Sequence, residues 1–238
     1  MTHLYKYCME DYKIIVALTT YKGRIYNKRF PVCLHSIINQ KTEIPFKVVL
    51  VLSSDEFKSK DELPEDLLIF ERNIENFEIL YTKRNTKALK KYNPVNRKYY
   101  DLPIISIGDD TIYSDTLVDT CYKEYIKNPN ACHAARVGRV GAIKVPWRIR
   151  VFPPNCMAWI SEDWFDKCFI QHDDLFYGLR LLLAGTPVIK HPEWEKLVTK
   201  GGYYGQKKTL GSEYRKISEP DIIKGFFNEL LNEKNEFE

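Results

Sequence analysis

"LPIISIGDDTIYSDTLVDTCYKEYI", residues 102–126, begins as an apolar run, stops at two adjacent carboxylates, Asp109 and Asp110, and resumes with helical spacing. Like charges that close repel unless water, hydrogen bonds or a cation stabilise them. The pair therefore marks the point where a buried strand leaves the core. Beyond it Ser114 is the expected N-cap, and Leu117, Val118, Cys121, Tyr122 and Tyr125 recur at intervals that predict a helix.

Three runs of the same kind precede this one. "YKIIVALTT" (12–20) and "FKVVLVLSS" (46–54) are short, continuous and rich in branched residues, the pattern of strands buried on both faces, and "FEILYT" (77–82) is a third strand. A helix with Pro31 in its first turn and Val32, Leu34, Ile37 and Ile38 as apolar positions separates the first two. Strands alternating with helices imply an α/β fold: an open, mostly parallel sheet flanked by helices. Such sheets bind ligands at the carboxyl ends of their strands. Thr19, Thr20, Ser53, Ser54, Asp109 and Asp110 all fall at such ends.

The second half is less regular. "CMAWIS" (156–161) reads as a strand, "HDDLFYGLRLLLAG" (172–185) as an amphipathic helix closed by Gly185, and "TPVIKH" (186–191) as a short strand. "KGGYYGQKKTLG" (200–211) reads as a mobile loop expected to close over a diphosphate, and Pro220–Leu231 as a last helix. One domain over 1–238 is expected, with a nucleotide-sugar-binding half at about 13–126 and an acceptor half with the C-terminal helix at about 127–238.

Net charge is +4, from 36 basic and 32 acidic residues, too mild to argue for nucleic acid. The distribution is uneven: residues 83–98 carry seven basic groups and no acid, and residues 136–150 carry five and no acid. Solvated faces and anion binding both account for such stretches, and peripheral membrane contact through them is a further expectation. The six cysteines show neither CxxC pairs nor zinc spacing, which fits buried free thiols in a reducing compartment. "MTHLYKYCMEDYK" lacks the apolar core of a signal peptide, and no run reaches the length of a membrane span, so a cytoplasmic location is expected.

Each candidate site has two readings. Asp109 and Asp110 form a solvated turn, or a site for Mg²⁺ or Mn²⁺, which takes one or two carboxylates and fills its shell with water and phosphate oxygens. Asp173 and Asp174 stabilise a helix N-terminus, or supply a general base. Lys87 lies on an exposed basic face, or contacts a diphosphate. His191 packs, or completes a metal shell.

Taken together, "KIIVALTTYKGRI", "LHSIINQ", "KVVLVLSSDEF", "IISIGDDTIYSDTLVDTCYKEY" and "HDDLFYGLRLLLAGTPV" resemble the nucleotide-sugar-dependent glycosyltransferases of the GT-A fold, more narrowly the bacterial surface-polysaccharide type, over about residues 13–190. The resemblance implies a nucleotide pocket lined by Thr19, Thr20, Tyr21 and Arg24, with Lys87 on the diphosphate. It implies Asp109 and Asp110 on the metal and phosphates, and Asp174 or Asp173 on the acceptor hydroxyl. Donor and acceptor would be a nucleotide-diphosphate sugar and a glycan or lipid-linked glycan. One departure stands out: the family often shows three consecutive acids where this chain has Gly108-Asp109-Asp110, so metal binding would be weaker, would use His191, or would be lost. Two other functions compete. A nucleotidyltransferase would use a similar sheet, acids and metal, but wants a glycine-rich loop where "TTYKGRIYNKRF" has only Gly23. A non-catalytic glycan- or nucleic-acid-binding module would keep the fold without turnover.

Overall fold

β1 (Ile14–Thr19) and β2 (Phe46–Ser53) are continuous apolar runs because both of their faces are covered. In the computed structural model, which describes residues 12–158 and 173–200, Ile14, Val16 and Leu18 face one layer while Ile15 and Ala17 face the other. The first layer contains α2 (Arg29–Ile38), α3 (Glu65–Asn73) and α5 (Leu117–Tyr125), which pack through Leu34, Ile37, Leu67, Leu117 and Val118. The second contains a 3-10 turn (Lys87–Lys91), α4 (Asn93–Lys98) and α6 (Asp173–Leu183), held by Leu89, Val95, Phe176 and Leu179.

With β3 (Phe77–Thr82), β4 (Ile104–Ser106), β6 (Cys132–Val140), β7 (Ile143–Phe152) and β8 (Val188–Lys190), these strands form a seven-stranded sheet in the order β3-β2-β1-β4-β7-β6-β8. Only β7 runs against its neighbours. The fold is thus a single α/β domain with a mixed, mostly parallel sheet, as the alternation of strands and helices predicts. A two-stranded sheet, β5 (Ile112–Tyr113) with β9 (Val198–Lys200), lies outside it. Among the described residues no helix is long and apolar enough to cross a membrane, and Cys33, Cys121, Cys132 and Cys156 are buried free thiols.

Several boundaries differ from the sequence reading. Ser114 does not cap α5; Thr116 takes that position, and Ser114 instead closes a turn, its Oγ accepting from the Thr116 amide at 3.3 Å. Residues 156–158 form no strand, and the rest of that stretch, the 201–211 loop and the Pro220–Leu231 helix lie outside the described residues. The β6–β7 hairpin is the largest element the sequence reading missed. Its two-residue turn, Gly141-Ala142, has Gly141 at φ +57°, the backbone that tight hairpins demand. A bulge between Ala134 and Arg136, with Arg148 at φ +69°, bends the ribbon. The end of α6 matches its reading. Gly185 at φ +68° donates to the Leu182 carbonyl (3.0 Å) and Thr186 donates to Leu181 (2.9 Å), the paired bonds of a Schellman motif.

α6 crosses β7 at backbone distance. A Cβ at Gly178 would lie 2.5 Å from the Lys144 carbonyl oxygen and 2.9 Å from Ile143 Cγ2. Gly178→Ala should therefore lower stability by about 1–3 kcal/mol, the usual cost of overpacking, read as a fall in Tm. Gly138→Ala, at a site with nothing within 4 Å, is the control and should leave Tm unchanged or raised.

Candidate active site

The carboxyl ends of β1 and β4 are neighbours in the sheet, and the chain turns polar at both. At the end of β1 the Thr19 hydroxyl donates to the Val51 carbonyl at 2.7 Å, tying β1 to β2, and Thr20 is buried. The short helix α1 (Lys22–Ile25) then brings Arg24 back over the sheet. Its guanidinium lies 5.0 Å from the centre of the Tyr21 ring and donates through Nη1 to Asp109 Oδ1. Thr20, Tyr21, Arg24 and Asp109, separated by more than eighty residues of chain, thus occupy one place.

Asp109 is buried, and burial pushes its carboxyl above the ordinary carboxylate range, with Arg24 opposing. Oδ1 carries the ion pair; Oδ2 is buried without a hydrogen-bond partner. Asp110 is half-buried beside it. Gly108 explains how the two coexist. Its N–H donates to the Tyr113 hydroxyl (3.0 Å), which donates back to the Gly108 carbonyl (3.2 Å), and a Cβ there would lie 2.9 Å from Asp110 Oδ1. Any side chain at position 108 would require the Asp110 carboxylate to rotate away from its present place.

The second acidic pair opens α6. Arg150 of β7, only 2% exposed, donates through Nη1 to Asp174 Oδ1, and its Nη2 lies 3.7 Å from Asp173 Oδ2. Lys91 Nζ is 3.6 Å from the same Asp173 oxygen. Burial, then Arg150, lowers the Lys91 pKa, while Asp173, Asp174 and Asp109 all pull it back up. Lys91 therefore stands within electrostatic reach of Asp173, Asp174 and Asp109. Lys90, also buried, turns to Glu56 (3.2 Å) and Asn85 (3.0 Å) and feels Asp109 as well.

Two sequence-expected residues are placed elsewhere. Lys87 is exposed at φ +50°, and its neighbours Lys90 and Lys91 are the inward-facing cations of that stretch. His191 follows β8, three strand positions from β4, or about 14 Å of lateral spacing. Both of its ring nitrogens are engaged, Nε2 with His133 Nδ1 at 2.9 Å and Nδ1 with Glu193 at 3.0 Å, and it stacks on Trp194 at 4.5 Å. It is a packing histidine. Arg150 and Lys91 escaped the sequence reading, although "RIRVF" carried a signal: an arginine alternating with Ile149 and Val151 in an apolar run has to be buried and paired.

A divalent cation fits these residues in a limited way. Among the described residues no group of three or more His, Cys, Asp or Glu side chains converges. The buried acceptor Asp109 Oδ2 and the half-buried Asp110 carboxylate nevertheless supply the one or two carboxylates that Mg²⁺ or Mn²⁺ takes when phosphate oxygens complete its shell.

No family model matches the chain, and no curated protein matches it by sequence. Solved structures do. S. aureus TarS in complex with UDP-GlcNAc superposes with a TM-score of 0.53 at 14% identity, covering 89% of this chain and 64% of that one. The mannosyltransferase PcManGT from Pyrobaculum calidifontis, in complex with GDP-Man and Mn²⁺, gives 0.51 at 15% identity, covering 76% of this chain and 55% of that one. The chain spans less than two thirds of either protein. At such identities the likeness establishes the fold, which is the GT-A fold of nucleotide-sugar transferases.

Breaking a buried ion pair by removing one partner costs about 3–5 kcal/mol, so Arg24→Met should be strongly destabilising. The loss should depend on pH. Without Arg24 the folded-state pKa of Asp109 rises further above the unfolded value of 3.8. A carboxyl raised on folding contributes stability below its unfolded pKa and loses it as pH rises through the folded one. In metal-free buffer the Tm deficit of Arg24→Met should be small near pH ~4 and grow toward pH ~7; an equal deficit at both would refute the pairing.

Proposed function

We propose that the chain is a glycosyltransferase that moves a sugar from a nucleotide-diphosphate donor to a hydroxyl of a glycan acceptor, aided by Mg²⁺ or Mn²⁺. One observation supports the reading: Lys91 lies 3.6 Å from Asp173 at the start of α6 and also feels Asp109 at the end of β4. Donor binding falls to the ends of β1 and β4, where Tyr21 and Arg24 flank Asp109. Asp109 and Asp110 would hold the cation, which when bound supplies Lewis-acid stabilisation of the departing diphosphate. Lys90 and Lys91 add fixed positive charge in a poorly solvated place, where it acts most strongly on developing negative charge.

Asp174 is the base. It keeps 41% of its side chain exposed, whereas Arg150 and Lys91 behind it keep 3% and 8%. The acceptor therefore meets a carboxylate first, which suits a neutral hydroxyl and repels a phosphate nucleophile of the kind many nucleotidyl transfers use. In an inverting transfer the acceptor oxygen bonds to the anomeric carbon, the bond from that carbon to the diphosphate oxygen breaks, and the hydroxyl proton passes to Asp174. The surroundings and the like charge of Asp173 raise the Asp174 pKa, and Arg150 and Lys91 hold it down. A carboxylate raised in this way is a stronger base than a free aspartate.

The two acidic pairs should fail differently. A thermal-shift screen of UDP- and GDP-sugars with Mn²⁺ should find one that stabilises the fold, by about 2.7 kcal/mol at a hundredfold excess over Kd. Asp110→Asn should abolish the metal-dependent part of that shift. Asp174→Asn should keep it while transfer falls by about 10²–10⁴. Transfer at the wild-type rate in Asp174→Asn would reduce Asp174 to a helix-terminal charge.

A further inference from the structure

Arg150 is a buried charge that takes no direct part in the proposed bond changes. It lies in β7, opposite Ser106 of β4 in register, with Nη2 3.5 Å from the Ser106 hydroxyl. Its guanidinium stacks over Tyr177 at 4.8 Å and faces Phe152 at 5.9 Å. An ordinary core position there would hold an aliphatic residue, as Ile149 and Val151 do on the opposite face. The fork instead meets the first turn of α6, one nitrogen on Asp174 and the other toward Asp173. Lys91 approaches Asp173 from the other side.

We infer that Arg150 is the positioning residue of the transfer reaction: its guanidinium fixes Asp174 Oδ1, turns the rest of that carboxylate toward the acceptor, and keeps it ionised beside Asp173, while Lys91 neutralises Asp173. The inference rests on the proposed function only for the word reaction; the brace itself is a property of the folded chain. Among the described residues, the groups that bear on Asp174 are Asp173 and Tyr177 from its own helix, Arg150 from β7 and Lys91 from the 3-10 turn. A helix N-terminus favours one added carboxylate, but two adjacent ones compete, and one would otherwise take up a proton. Two buried cations remove that competition. The guanidinium also has geometry that an ammonium lacks: a planar fork reaches both carboxylates from one rigid position, so its replacement by Lys keeps charge and loses aim.

The titration arm of the test needs neither donor nor acceptor. In protein with ¹³C-labelled aspartate carboxyls, the Asp174 signal is identified by its absence in Asp174→Asn and titrated. Arg150→Met should raise its midpoint by about 1–3, the usual effect of an adjacent arginine. Arg150→Lys should restore most of that shift, yet leave sugar transfer impaired at a pH where Asp174 is ionised. Should Arg150→Met fail to fold, the wild-type chain still decides: the Arg150 guanidinium ¹⁵N resonances should move with the Asp174 midpoint and stay still in Asp174→Asn. An unmoved Asp174 midpoint in Arg150→Met, or guanidinium resonances indifferent to it, overturns the brace. Full transfer activity in Asp174→Asn, beside an intact Arg150–Asp174 coupling in the wild-type chain, overturns instead the assignment of Asp174 as base, and leaves the brace standing.

Discussion

A guanidinium that water barely reaches needs anions at contact, and that requirement joins four separate parts of this chain. Arg150 sits in β7, which runs antiparallel to both its neighbours, β4 and β6. Its anions come from the first turn of α6, and Lys91 shares one of them. Removing a carboxylate from this set would leave a buried cation exposed to a low dielectric, at a cost of several kcal/mol. The start of α6 is therefore tied through Arg150 to β7 and, by way of Ser106, to β4.

The first half of the fold was legible because its strands are buried on both faces. Runs such as Ile14–Leu18 and Val48–Leu52 admit almost no polar residue and announce themselves. The β6–β7 hairpin was not, because its outer half carries Arg136, Arg139, Lys144 and Arg148 and is punctuated by Gly138, Gly141 and Pro146. Charge and glycine mask a period of two when a ribbon is half exposed. The site was legible where polarity follows a strand end, as at Asp109, or opens a helix, as at Asp173. It was illegible where it depended on rotation: in residues 87–91 the tight 3-10 turn decides which lysine faces inward, and composition alone cannot distinguish Lys87 from Lys90 or Lys91.

The histidines show the complementary case. His133 and His191 are both buried, lie 2.9 Å apart through their ring nitrogens and stack with Trp194. The Asn128 carbonyl occupies the far nitrogen of His133, and Glu193 that of His191. Each ring nitrogen of the two histidines lies within hydrogen-bond distance of a local partner, so the cluster closes the corner between β6, β8 and the following turn. Residue type suggested a ligand, and saturation of its hydrogen bonds makes it a strut.

The backbone contact at Gly178 has a mechanical consequence. Where helix and strand meet through side chains, rotamers yield and the layers slide. Here the helix axis approaches the Lys144 carbonyl with nothing compressible between them. The crossing therefore leaves little room for α6 to slide on β7. The first turn of α6, with Asp173 and Asp174, is fastened close to that crossing, whereas Tyr21 and Arg24 belong to a helix of a single turn.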